Sequence, residues 1–330
     1  MPEVAGREPR FDVTSIGESM LRLSVGIGHR IASAGSFDAH VAGAESNVCA
    51  ALAGLGRKTG WVSRLPKNPL GELVLARARS WGIDTEQVVM APNGRLGTYF
   101  VELAAPPMPA RVTYDRAGSA FSELTPDEVD WEYLLDTRLL HLTGITPALG
   151  GALPSLITDA VARAKERGIL VSLDVNYRAQ LWAEEEAARY LRPLLEEIDL
   201  LFCSSNDAIR VFGLEAGDSA QLLTGLRAMT SARHVVVTQD SEGAIAWSDG
   251  RLLHQPALPV TIVDRIGAGD ALSAGVIDGV LAGDAQGGLA NGVALAAVAL
   301  SQHGDVVSVG RDELAIVTAF ANIRGTSVLR

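Results

Sequence analysis

Cysteine is scarce in this chain: Cys49 and Cys203 are the only two among 330 residues, and both sit in apolar runs. Their spacing fits no metal-ligand pattern and gives no disulfide framework. Two buried free thiols in a reducing compartment, the cytoplasm, are therefore expected. Long apolar runs are also missing. The longest candidate, 290–300, falls well short of the roughly 20 residues that span a bilayer and reads as a buried helix. The first residues carry Glu3, Glu8 and Asp12 and no apolar core, which is not the pattern of a secretory leader; MPEVAGREPR (1–10) reads as a loose tail. Positive charge is in deficit, with 28 Lys and Arg against 39 Asp and Glu and a net charge of −11. Without a basic patch, neither nucleic acid nor a membrane surface is an expected partner. No GxxxxGK[ST] occurs, and GLGRKTG (54–60) follows a helix and lacks G-x-G-x-x-G spacing, so it reads as a helix C-cap with a turn. That argues against a P-loop nucleotidase and against an NAD-dependent dehydrogenase.

What is present is ample apolar material, 48% of residues, with 20% charged and no low-complexity tract or internal repeat. From about residue 138 onward, strand and helix alternate. LLHLTG (139–144), ILVSLDVN (169–176), DLLFCS (199–204) and HVVVTQD (234–240) are strand-like, and helical patterns over 150–168 and 184–198 separate the first three. The expected fold is α/β: a doubly wound, mostly parallel sheet with helices on both faces, one domain over 1–330. The N-terminal third breaks the rhythm. Helices are expected over 44–56 and 69–82, but FDVTSIGESMLRLSV (11–25) runs from one strand into a second. GTYFVEL (97–103) and ARVTYDRAG (110–118) look like paired strands joined by AAPPMP. Insertions at about 18–43 and 95–118 are therefore expected to form a small antiparallel sheet, projecting as a lid over the carboxyl ends of the parallel strands.

The sharpest local signal is VDRIGAGDALSAGVIDGVL (263–281). A strand-like end leads into Gly267-Ala268-Gly269-Asp270 and then a helical run. Glycine lets backbone approach a ligand closely, and amides at a helix start favour an anion. From spacing alone Asp270 is equally a plain helix-start carboxylate. Gly275 and Gly279, at helical spacing, suggest close packing against a neighbouring helix.

VDRIGAGDA resembles the C-terminal signature of the ribokinase-like, PfkB-type carbohydrate kinases, Asp-Thr-x-Gly-Ala-Gly-Asp, with Asp264 in place and Arg265 where threonine is usual. VAGAESNVCAALAGLG (41–56) resembles that family's substrate turn and following helix, and the similarity runs over about 11–320 with the motifs in order. The resemblance implies an ATP-dependent kinase in which Asp270 takes the proton of a sugar hydroxyl and the amides after Gly267 stabilise the transferred γ-phosphoryl. Within the family, GTYFVEL, VTYDRAGSA (112–120) and SLDVNYRAQLW (172–182) are most similar to kinases of 2-keto-3-deoxygluconate, although fructokinases share the third stretch. A sugar-acid carboxylate would suit the forks of Arg116 and Arg178, each of which could instead be a surface ion pair. Tyr99 and Tyr114 could cover the sugar or be ordinary sheet aromatics. Gly43 would let backbone approach the sugar; Asn47 could contact it or cap the helix. For the nucleotide, the resemblance points to Thr238, Gln239, Asp240, Ser241, Glu242 and Gly243 in VVVTQDSEGAIAW (235–247), which a bare β-turn would match equally, and to Asn291. FCSSNDAI (202–209) has Ser204 and Asp207 where the family usually has Asn-x-x-Glu. Asp207 is expected to hold Mg2+ indirectly, through water. A monovalent cation such as K+ and a homo-oligomer built through the small sheet follow by resemblance only. The alternatives are a fructokinase or other hexose kinase of the family and a silent sugar-binding regulator, against which the intact GAGD argues.

Overall fold

The computed structural model describes residues 7–320 apart from 104–106 and 216. The start of the expected tail, part of the AAPPMP connection and the last ten residues lie outside that description.

Among the described residues, thirteen strands form two sheets: β1 Phe11–Ile16, β2 Met20–Val25, β3 Asp38–Ala42, β4 Thr59–Pro66, β5 Val88–Ala91, β6 Thr98–Glu102, β7 Arg111–Asp115, β8 Thr137–Thr143, β9 Leu170–Asp174, β10 Leu200–Ser204, β11 His234–Thr238, β12 Ala244–Ser248 and β13 Arg251–Gln255. The large sheet is nine-stranded, in the order β13-β12-β11-β10-β9-β8-β1-β4-β5. All its pairings are parallel except β11 with β12 and β12 with β13, which close one edge antiparallel. Sandwiched strands need apolar residues in succession: Leu139, Leu140 and Leu142 of β8 are all fully buried. Burying each such side chain stabilises the fold by roughly 1.5–3 kcal/mol.

Chain order reverses between β8 and β1, so the strands on either side leave a crevice beyond their carboxyl ends. Into it run the segments after Ile16, Thr143, Asp174, Ser204 and Thr238. The small sheet has the order β3-β2-β6-β7, and its strands come from the two expected insertions. Its outer pairings are antiparallel, but the central one, β2 with β6, is parallel, because two separate excursions of the chain meet side by side. The register places Arg22 beside Tyr99, and Tyr99 beside Tyr114, in one row across the sheet.

The signature segment becomes the helix Ala268–Ala282, packed on the helix Ala285–Leu300. A Cβ at Gly275 would fall 2.4 Å from the backbone nitrogen of Gly292, and one at Gly279 would fall 2.2 Å from Cα of Gly288. The two helices therefore touch backbone to backbone, as the glycine spacing suggested.

Candidate active site

The anion loop is built as its glycines dictate. Gly267 is the N-cap of the helix in a left-handed conformation, φ 89°, and a Cβ there would lie 2.1 Å from the carbonyl oxygen of Asp305. Both demands exclude any larger residue. The helix's first amides have no intrahelical partners and carry the positive end of its dipole. Asp270, in the first turn, accepts a 2.7 Å hydrogen bond from the side-chain amide of Asn47.

Asn47 does not cap its own helix. Gly43 is the N-cap, and the Asn47 carbonyl accepts from the Gly43 N–H at 3.2 Å. The N-terminal motif thus holds the carboxylate of the C-terminal one. Gly43 itself is required by packing: a Cβ would fall 2.1 Å from the carbonyl oxygen of Glu18.

A cavity of about 540 Å³ lies between the small sheet and the strand ends, and Gly43, Asn47, Tyr99, Tyr114, Arg116, Arg178, Asp207 and Asp270 all line it. The structure therefore gathers every expected sugar-side residue, but not in the expected states. The Nε and Nη2 of Arg116 both donate to one carboxylate oxygen of Glu18, and both residues are buried. This guanidinium is already neutralised. No local pattern announces this pair, since Glu18 lies 98 residues away. Arg178 remains half-buried, donates only to the Tyr177 carbonyl at 3.2 Å, and has no ion pair among the described residues. Tyr99 is buried with its hydroxyl donating to Asp305 at 2.5 Å, so that proton is not available to a sugar. The same Asp305, together with Asp264, holds the fully buried guanidinium of Arg22. The small sheet is thereby fastened to the anion loop on both of its central strands.

Three carboxylates share the opposite wall. Asp174, at the end of β9, is pushed up to about 7 by burial and then by the like charge of Asp207. Asp207 is raised by burial, against hydrogen bonds from the Tyr177 N–H and Ser204. Asp270 keeps some surface open to the cavity, yet burial pushes its carboxyl up to about 8; Asn47 and the charge of Arg178 oppose this and Asp174 adds to it. A carboxylate so raised is a far better proton acceptor near neutral pH than an ordinary one. Since kcat/KM reports groups of the free enzyme, it should climb with pH through about 8 and level off above it. Asp174→Asn, which removes a repelling charge, should move that limb to lower pH. A profile flat from pH 6 to 9 would separate Asp270 from the rate.

A second cavity, of about 590 Å³, adjoins the first; Thr238, Arg265 and Gly269 line both. Thr238, Asp240, Ser241 and Gly243 line it as expected, but Gln239 and Glu242 do not. The Gln239 amide instead donates to Ser219 and Glu242. Asn291 is absent as well, because the helix presents Val293, Ala296, Ala297 and Leu300 to this cavity. At about 100° per residue, Asn291 points roughly to the opposite side. Unforeseen residues are Asp174 and Arg265, on the walls, and Glu18, Arg22 and Asp305, which hold other site residues.

Among the described residues, no group of three or more His, Cys, Asp or Glu converges on one metal position.

The profile of the pfkB family carbohydrate kinases matches residues 11–310. A 2-dehydro-3-deoxygalactonokinase of Haloferax volcanii is 35% identical over 304 residues, 92% of this chain and 95% of that protein. A 2-dehydro-3-deoxygluconokinase of Thermoproteus tenax is 29% identical over 91% of this chain and 92% of its own. The crystal structure of 2-dehydro-3-deoxygluconokinase from Thermotoga maritima superposes with a TM-score of 0.89 at 34% identity, over 95% of this chain and all of that one. With the signature loop, the paired cavities and this family-wide match in agreement, the chain belongs to the pfkB family of carbohydrate kinases.

Proposed function

We propose that the protein is a cytoplasmic, ATP-dependent kinase of a sugar acid, converting 2-keto-3-deoxygluconate or its galacto epimer into the 6-phosphate. The observation that carries the acidic substrate is Arg178, a guanidinium without an ion pair on the sugar cavity, in a protein whose relatives include kinases of such acids. The sugar occupies the first cavity, with Arg178 at its carboxylate, and ATP the second. Asp270 takes the proton of the primary hydroxyl while that oxygen bonds to the γ-phosphorus and ADP departs with the electrons of the broken P–O bond. The amides at the start of the helix Ala268–Ala282 cradle the moving phosphoryl. Mg2+ would neutralise the nucleotide's phosphate oxygens, with Asp207 holding its water. Pairing of small sheets between two copies would cover the exposed Phe37 and Met108.

The test is turnover with ATP and Mg2+, in K+ and in tetramethylammonium salts, on 2-keto-3-deoxygluconate, its galacto epimer, fructose and ribose. One of the acids should give the highest kcat/KM. Fructose in first place would make this a fructokinase, and no turnover would leave a sugar-binding protein.

The central strands β2 and β6 are fastened through Arg22 and Tyr99 and the end of β7 through Arg116, which leaves the start of β7, on the sheet edge, as the margin of the lid most able to move. When sugar and a nucleotide analogue bind, hydrogen exchange should slow over 111–115, with 98–102 changing less. Unchanged exchange in β7 at saturation would mean that this sheet does not close.

A further inference from the structure

Arg265 stands where the resembling signature has threonine, two residues before the N-cap of the catalytic helix. That is the wrong end of the helix dipole for a cation, so the position gains nothing in stability unless an anion lies nearby. The side chain is exposed, and among the described residues it has no carboxylate partner. The other guanidiniums around the sugar cavity are spoken for or face elsewhere: Arg116 is held by Glu18, Arg210 by Glu184 at 2.7 Å, and Arg22 by Asp264 and Asp305. Arg178 lines the sugar cavity and an outer one beside it, not the nucleotide cavity. Arg265 alone among the described cationic residues lines both cavities, at the junction marked by Thr238 and Gly269.

Only the phosphoryl group crosses that junction. In a loose transition state its charge spreads over three equatorial oxygens, which a planar fork of N–H donors matches. The surrounding walls carry Asp174, Asp207 and Asp270, so the migrating anion needs a positive group close by. We propose that Arg265 is a further catalytic residue, whose guanidinium holds the γ-phosphoryl oxygens during transfer. The idea rests on the phosphoryl-transfer reading above. Asp270 takes the hydroxyl proton and ADP leaves as before; Arg265 exchanges no proton and contributes charge and geometry alone.

Arg265→Ala, Arg265→Lys and Arg265→Thr, the last restoring the usual residue, test this. An exposed side chain without a partner can be removed with the fold intact, so melting temperatures should stay within a few degrees. Each variant should lose kcat, Ala and Thr by about 10²–10³ and Lys by somewhat less, with both KM values within about threefold. Calorimetry of Mg-ADP should give wild-type affinity in every variant. The extra affinity that aluminium fluoride adds to Mg-ADP plus sugar, a mimic of the transferring phosphoryl, should shrink in step with kcat. Guanidinium ion should restore part of the Arg265→Ala rate. The proposal is overturned if Arg265→Ala keeps kcat within threefold of wild type, or if the loss falls on the KM for ATP with kcat intact. Wild-type protein that phosphorylates none of the four sugars would instead overturn the kinase reading itself.

Discussion

Asp270→Asn is expected to lower kcat by about 10² or more, the scale of losing a positioned general base. Asparagine has the same shape, and its carbonyl can still accept from Asn47, so the loop need not move. It cannot take a proton. Removing a carboxyl that burial and Asp174 have pushed up to about 8 also relieves repulsion, so the variant should fold at least as well as wild type. The affinity for ATP, seated in the other cavity, should change less than about threefold. Steady-state kinetics with calorimetric binding of an ATP analogue checks both halves. A variant retaining over half of wild-type kcat would take Asp270 out of the mechanism.

The second large effect separates two arginines that look equivalent in the sequence. Arg178→Ala should lower kcat/KM for the sugar acid by about tenfold to a hundredfold, the worth of a charge-assisted hydrogen bond at roughly 1.5–3 kcal/mol. Turnover of fructose should change far less. Arg178→Lys keeps the charge without the fork and should recover only part of the loss. Arg116→Ala should behave differently, because it strands the buried carboxylate of Glu18. The expected cost is about 3–5 kcal/mol of stability, felt by every substrate alike. Melting curves and kinetics of both variants on both sugars decide the matter. If Arg178→Ala weakens both sugars equally, Arg178 reads no carboxylate, and the acidic substrate loses its main support.

The sequence was most readable where one local pattern settles the geometry. Gly267 through Asp270 could only be a tight turn into a helix, and the runs at 139–144, 169–176 and 199–204 could hardly be anything but central strands. It was least readable where partners come from far apart. TGWVSRLP contains an arginine and a proline, and nothing in it announces β4 of the large sheet. The return of β12 follows a turn that 235–247 did suggest, but β13 was not foreseen. Arg116 and Tyr99 are held by Glu18 and Asp305, and no spacing rule reaches that far. Asn291 is a different case. Its opposition to Val293 and Leu300 follows from helical phase and was available from the sequence. Asp174, too, lay in plain view in DVNYR.

The bare contact between Gly275 and Gly292, and between Gly279 and Gly288, has a bearing on ancestry. With no side chains between the two helices to yield, one methyl group at any of these places would act as a wedge and tilt the helix whose first turn carries Asp270. The place is remote from the chemistry: at about 1.5 Å of rise per residue, Gly279 lies some 13 Å along the axis from the carboxylate. A descendant of this protein could therefore lose its catalytic power by drift at a site no ligand touches, while its GAGD signature stayed letter-perfect. Silent members of such a lineage would be recognised by what has grown between the helices, not by what is missing from the loop.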